Sequence, residues 1–239
     1  MLKIRGLTKK YGAKCAVNNL SLDIAPGKIC AFIGHNGAGK TTTLKAAVGI
    51  LSFDSGNIFI NGISVLDDPM YCKKNIAYIP DNPDLYDFLT GIGYLNFVCD
   101  VFGVDKASRE EKIGALADRF ELTAELGGLI GEYSHGMKQK LAIIAAWLHS
   151  PKLILMDEPF VGLDPKASFA LKEMMREHCA NGGSIFFSTH VLDVAQKLCD
   201  EVAIIRNGTL VASGDMEKVR GNESLEDIFL ELLREEDDD

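Results

Sequence analysis

The chain of 239 residues predicts an α/β fold, with a parallel sheet joined by an antiparallel β portion near the N-terminus and by a helical insertion. Three observations carry this. Ile29 to Ile33, Leu153 to Met156 and Ser184 to Ser188 are short runs of the kind that form strands buried on both faces. Leu20, Leu22 and Ile24 alternate with Ser21 and Asp23, the pattern of a strand with one wet face. From about Gly91 to Ser150 the apolar residues recur at helical spacing instead.

Taken in order, Pro26-Gly27 turns the chain after the alternating strand, and Ile58 to Ile60 before Asn61-Gly62 is another short strand and turn. Within the helical stretch, Tyr94, Val98 and Val101 make one expected apolar stripe, and Met137, Leu141, Ile144 and Leu148 make another. A helix over roughly Pro165 to Cys179 separates the two later strands. Val202 to Ile205 and Thr209 to Ala212 flank Asn207-Gly208, a strong hairpin signal. Leu225, Ile228, Phe229 and Leu232 fall at helical spacing behind Ser224, a suitable N-cap. With no internal repeat and no Ser/Gly-rich linker, the expected organisation is a discontinuous core over residues 1–90 and 150–220, a helical unit over 91–149, and a short C-terminal helix with an acidic tail over 221–239.

Composition excludes several classes of function. The six cysteines (Cys15, Cys30, Cys72, Cys99, Cys179, Cys199) show no C-x-x-C pair, which argues against a zinc ribbon or a redox dithiol and for reduced, mostly buried thiols. The N-terminus lacks the apolar stretch of a signal peptide. The longest apolar run, Leu141 to Leu148, is far short of the roughly 20 residues that span a bilayer, so any membrane role comes through a partner. A net charge of −9, with an acidic end from Glu235 to Asp239, repels a phosphate backbone and argues against nucleic acid.

The chemistry concentrates in three places. Gly34-His35-Asn36-Gly37-Ala38-Gly39-Lys40-Thr41 fits G-x-x-x-x-G-K-[ST] between a buried strand and a helix, the context that the motif requires. Glycines let successive N–H groups wrap round phosphate oxygens, and the helix N-terminus adds a favourable dipole. Lys40 is then placed for the β- and γ-phosphates and the Thr41 hydroxyl for Mg²⁺, which makes the core that of a P-loop NTPase. Leu153 to Met156 ends in Asp157-Glu158, two carboxylates at the C-terminal end of a strand, one suited to hold the metal and the other to polarise a water. His190 follows the strand ending at Thr189 and projects from the same edge. The other histidines, His35, His135, His149 and His178, make no metal-ligand spacing.

Tyr133-Ser134-His135-Gly136-Met137-Lys138-Gln139-Lys140 resembles the signature of the ATP-binding-cassette (ABC) ATPases. With Gly34 to Thr42, Leu153 to Glu158, Val161-Gly162-Leu163-Asp164 and His190, it matches that family in order and spacing over nearly the whole chain. The resemblance implies a RecA-like core and a set of roles. Tyr11 resembles the aromatic that stacks on adenine, Gly34 to Thr42 the phosphate loop, Asp157 the magnesium acid, Glu158 the catalytic base and His190 the contact to the γ-phosphate. Ser134 and Gly136 resemble the residues that cap the γ-phosphate bound to the opposite subunit, and Asp164 the loop that crosses the dimer interface. Two such subunits, homodimer or heterodimer, are then expected to serve an integral membrane permease at the cytoplasmic face of the cell membrane.

Two departures from the family pattern are informative. The usual Leu-Ser-Gly-Gly-Gln has become Tyr133-Ser134-His135-Gly136-Met137, which keeps the cap. The loop that usually holds Gln shows Asp81, a shorter carboxylate, which suggests a water between it and Mg²⁺. These substitutions, and the closing Ser224 to Phe229, resemble the ATPase subunits of ABC-2-type exporters, and they make Leu85 to Thr90, with Tyr86 and Phe88, a candidate permease contact. An importer ATPase and a soluble, nucleotide-switched scaffold are the rival readings. The scaffold usually brings tandem cassettes, a coiled coil or a basic surface, none of which is seen in the sequence.

Overall fold

The computed structural model describes residues 1–234, so the tail from Glu235 to Asp239 lies outside the described residues. The chain opens with β1 (Leu2–Tyr11) and β2 (Lys14–Ile24), paired antiparallel. Leu20, Leu22 and Ile24 turn inward and Ser21 and Asp23 outward, as the alternation demands. β1 hides its own period because the register shifts between Ile4 and Leu7, so its buried residues Leu2, Ile4 and Leu7 do not alternate strictly.

Next come β3 (Ile29–Ile33), buried at every position, and α1 (Lys40–Ala47). β4 (Ser55–Ile60) and β5 (Ile63–Ser64) meet at Asn61 and Gly62, whose φ angles of 51° and 82° suit the mirror-image turn of a tight hairpin. The first sheet has the order β2-β1-β4-β5. α2 (Pro69–Lys74), capped by Asp68, leads into β6 (Ile76–Ile79), a strand too short to display a period in the sequence.

The helical insertion contains α3 (Gly91–Phe102), α4 (Lys106–Arg119), two single 3₁₀ turns and α5 (His135–Leu148). Thr90, Asp105 and Ser134 cap these three helices by accepting N–H hydrogen bonds. On α5, Leu141, Ile144 and Leu148 are buried and Met137 half-buried, as their spacing predicts. The stripe on α3 differs from expectation. Its buried residues are Gly91, Leu95 and Cys99, whereas Tyr94 and Val98 are half-buried and Val101 is 63% exposed. α3 is apolar nearly all round, so periodicity does not choose a face; packing against α5 chooses Leu95 and Cys99 and leaves Phe97 and Val101 outward.

The remaining elements are β7 (Leu153–Asp157), α6 (Pro165–Ala180), β8 (Ser184–Thr189), α7 (Leu192–Leu198), β9 (Glu201–Arg206), β10 (Thr209–Asp215), α8 (Met216–Arg220) and α9 (Leu225–Arg234). Asn207 and Gly208, at φ 49° and 81°, close the β9–β10 hairpin. Ser224 and Asp227 exchange hydrogen bonds at the start of α9. The second sheet has the order β10-β9-β3-β8-β7-β6 and is parallel except for β10. It divides the core in two. Ala31, Ile33, Met156 and Phe187 pack toward the helical insertion and α6, while Phe32, Leu155 and Phe186 pack toward α1 and the first sheet. The C-terminal ends of β3, β6, β7 and β8 emerge along one edge, the place where such sheets present ligand-binding groups. All six cysteines are free thiols, and among the described residues no helix is long and apolar enough to cross a membrane.

Candidate active site

The loop from Gly34 to Gly39 joins β3 to α1, so the apolar run that buries β3 also aims the loop past the edge of the sheet. Only glycine fits at position 39. Its φ is 111°, and a Cβ there would lie 2.5 Å from the carbonyl oxygen of Ala16. Lys40, 6% exposed, donates from Nζ to the carbonyls of Gly34 at 2.6 Å and His35 at 3.3 Å, and stands 3.9 Å from Glu158 Oε1. Burial draws its pKa below the usual lysine value, against the pull of the Glu158 and Asp157 charges.

Thr41, in the first turn of α1, donates from Oγ1 to Asp157 Oδ2 at 2.5 Å. Ser188, which pairs with Asp157 across the β7–β8 ladder, donates to the other carboxylate oxygen, Oδ1. Ser188 Oγ also accepts from the backbone N–H of Glu158 at 3.1 Å. Glu158 sits at φ 46°, in the left-handed region that disfavours a side chain, so these bonds hold a strained residue in place. Its Oε2 lies 3.0 Å from His190 Nδ1, with His190 just beyond β8.

Tyr11, Lys14, Ala16, His35 to Gly37, Gly39 to Thr42, Asp81, Asp157 and Glu158 line one pocket of about 300 Å³. Tyr11 stands at its rim, half-exposed, with Lys9 Nζ 5.3 Å over its ring. A larger cleft of about 640 Å³, around Trp147, Lys152 and His178, contains none of the motif residues. The donor set of Thr41, Asp157 and Asp81 is hard oxygen, and it is too sparse to cage a metal by itself. That fits Mg²⁺, which completes its shell with phosphates and water.

Ser134, Gly136 and Asp164 do not join this pocket. Ser134 is exposed and caps α5 through Met137 N at 3.3 Å. Gly136 packs so closely that a Cβ would lie 2.7 Å from the Gly162 carbonyl oxygen. Asp164 caps α6 through Ala167 N at 2.9 Å and meets Lys140 Nζ at 2.7 Å, which holds its carboxyl below the usual range. These residues form a second cluster, outside the chain's own phosphate pocket. Sequence reasoning missed the role of Ser188, one of three hydroxyl residues in the buried strand β8 and so not marked out by its type, and it missed the pocket residues Lys14 and Ala16.

A family model described as ABC transporter matches residues 17–161. The chain belongs to that family. It is an ATP-binding subunit of an ABC transporter and an ATPase. It is 35% identical over 241 residues to the ABC-type transporter ATP-binding protein EcsA of Bacillus subtilis (strain 168), covering 99% of this chain and 98% of that one. A solved ATP-binding subunit of an ABC transporter superposes with a TM-score of 0.94 at 36% identity, over 98% of this chain and 100% of that chain. The ATP-binding cassette MJ0796, solved as a dimer in a post-hydrolysis state bound to ADP and Pi, shares the fold at TM-score 0.82 and 21% identity, over 90% and 99% of the two chains.

Proposed function

We propose that this subunit is half of an ATP-driven clamp. Two copies, or this chain and a related one, close face to face on ATP, hydrolyse it and part, and the motion drives an integral membrane permease in the direction of export. The separation of the two clusters carries this reading. Lys40, Thr41, Asp157 and Glu158 line the chain's own phosphate pocket, with His190 beside Glu158, whereas Ser134 and Gly136 lie elsewhere on its surface, where a second copy's triphosphate can meet them. The dimeric state of the MJ0796 cassette supports the pairing.

In this mechanism Tyr11 stacks on the adenine, and the N–H groups from His35 through Thr42 cradle the phosphates while Lys40 bridges the β and γ groups. Thr41, Asp157 and Asp81 hold Mg²⁺, which when bound offsets phosphate charge. Glu158 accepts a proton from the attacking water through its carboxylate, and His190, at hydrogen-bond distance from Oε2, orients that carboxylate beside the γ-phosphate. Ser134 and Gly136 of the mate cap the γ-phosphate, and Asp164 lies at the interface. Loss of phosphate removes what joins the two copies.

The permease docks on the groove of about 270 Å³ between β6 and the helical insertion, lined by Pro83, Leu85, Tyr94, Val98 and Phe102. Tyr86, which meets Tyr94 and Phe88 ring to ring, leaves an exposed aromatic edge there. Docking places the subunit at the cytoplasmic face of the membrane. Export is supported by the Ser134 to Lys140 sequence and by Asp81. Glu158→Gln tests the clamp: it should keep ATP, run as a dimer on size-exclusion with magnesium ATP, and lose at least about 10²-fold in turnover. A variant that stays monomeric with ATP overturns the clamp, and turnover within a few-fold of the parent removes Glu158 from its role.

A further inference from the structure

Tyr78 on β6 stands beside the acidic end of β7. Parallel pairing sets Tyr78 against Leu155 and Ile79 against Met156. Leu155 and Asp157 are two residues apart and share a face of the sheet, so Tyr78 shares that face as well. Its ring packs in the core cluster of that face, which includes Leu44 of α1 and Leu155. Its hydroxyl is buried and has no hydrogen-bond partner. A buried donor left unpaired costs folding free energy and calls for a physical reason.

Two carboxylates bear on this hydroxyl. Burial first, then the charges of Asp157 and Asp81, push the phenol above its usual range, so it remains a donor. Asp157 is already engaged, one oxygen by Ser188 and the other by Thr41. Asp81, exposed and two residues beyond β6, makes no hydrogen bond or ion pair among the described residues. We propose that Tyr78 is a positioning residue of the metal site, whose hydroxyl donates to the Asp81 carboxylate when nucleotide and cation are bound and so fixes that short side chain toward Asp157. The inference rests on the assignment of Thr41, Asp157 and Asp81 to the metal.

The test is thermal unfolding of the full chain in the Glu158→Gln background, with saturating ATP and increasing Mg²⁺. Tyr78→Phe without ligand should melt at or above its parent, because the unpaired hydroxyl is gone. With ATP it should need about tenfold more Mg²⁺ for half of the stabilisation, the usual worth of an outer-shell partner. Added to Asp81→Ala, it should change the Mg²⁺ requirement no further. An unchanged Mg²⁺ requirement, an additive double variant, or a lower melting temperature of the ligand-free Tyr78→Phe each overturns the inference. Asp157→Asn separates the two layers. If it leaves the Mg²⁺ requirement unchanged, the metal assignment itself fails; if it raises the requirement and Tyr78→Phe does not, only the role of Tyr78 fails.

Discussion

Around the phosphate loop, the working groups are answered from within the chain: Lys40 by two loop carbonyls, Thr41 by Asp157, Asp157 by Ser188, and Glu158 by His190. At the signature edge, Ser134 caps α5, Asp164 caps α6 with one oxygen and pairs with Lys140 through the other, and the N-terminus of α5 is left facing outward. The difference teaches what each region is built for. The first is preorganised, its dipoles and charges fixed before any ligand arrives, which is where electrostatic catalysis draws its advantage. The second is a rigid surface that offers a helix terminus and its exposed cap, and its proposed chemistry begins only when another molecule supplies phosphate.

The sharpest way to break this contrast is to disable the regions in separate copies. Lys40→Ala alone and Ser134→Arg alone should each lose turnover almost entirely. Mixed in equal amounts they should regain roughly a quarter of the parental rate, because random pairing gives half mixed dimers, each with one intact composite site. ATPase assays on the mixture check this, and no recovery would mean that Ser134 does not serve the opposite copy. A smaller effect is expected from Ser188→Ala, which frees Asp157 Oδ1 and leaves the Glu158 N–H only the carbonyl of residue 188, 3.2 Å away. Turnover should fall about tenfold, as for other outer-shell partners, with ATP still bound. Parental turnover would show that Asp157 and Glu158 hold their places unaided.

The least effect concerns neither region but the scaffold between them. Burial lowers the pKa of His149, whose ring stacks on Phe102 at 3.8 Å and whose Nε2 meets the Ile76 carbonyl at 3.0 Å, and burial likewise lowers that of His178. Below about pH 6.5 the unfolded chain takes up protons that the folded chain declines, so stability is full above that pH and falls as pH drops toward the folded values. Melting near pH 5.5 should come a few degrees below melting near pH 7.5, and His149→Gln should flatten part of the fall. A fall of equal depth in that variant would assign the effect to other groups.

The local chemistry of the chain is legible in its amino-acid order alone. The glycines of the phosphate loop encode their own backbone geometry, the acids sit at the end of a run that has to be a buried strand, and Asn61-Gly62 and Asn207-Gly208 have the φ angles that their hairpins need. Each of these is a short-range fact, in which a residue constrains neighbours a few positions away. What pairs across the sheet is not legible in that way. Ser188 reaches Asp157 only because β8 lies beside β7 in one register, and β6 takes its place at the sheet edge without a period of its own. Nor does the pattern choose the buried face of α3: its nearly uniform apolarity leaves that choice to the helix packed against it, which covers Leu95 and Cys99 and exposes Val101. Periodicity and motif act through chain neighbours, whereas register and packing depend on residues distant in sequence, and only the assembled tertiary structure brings those together.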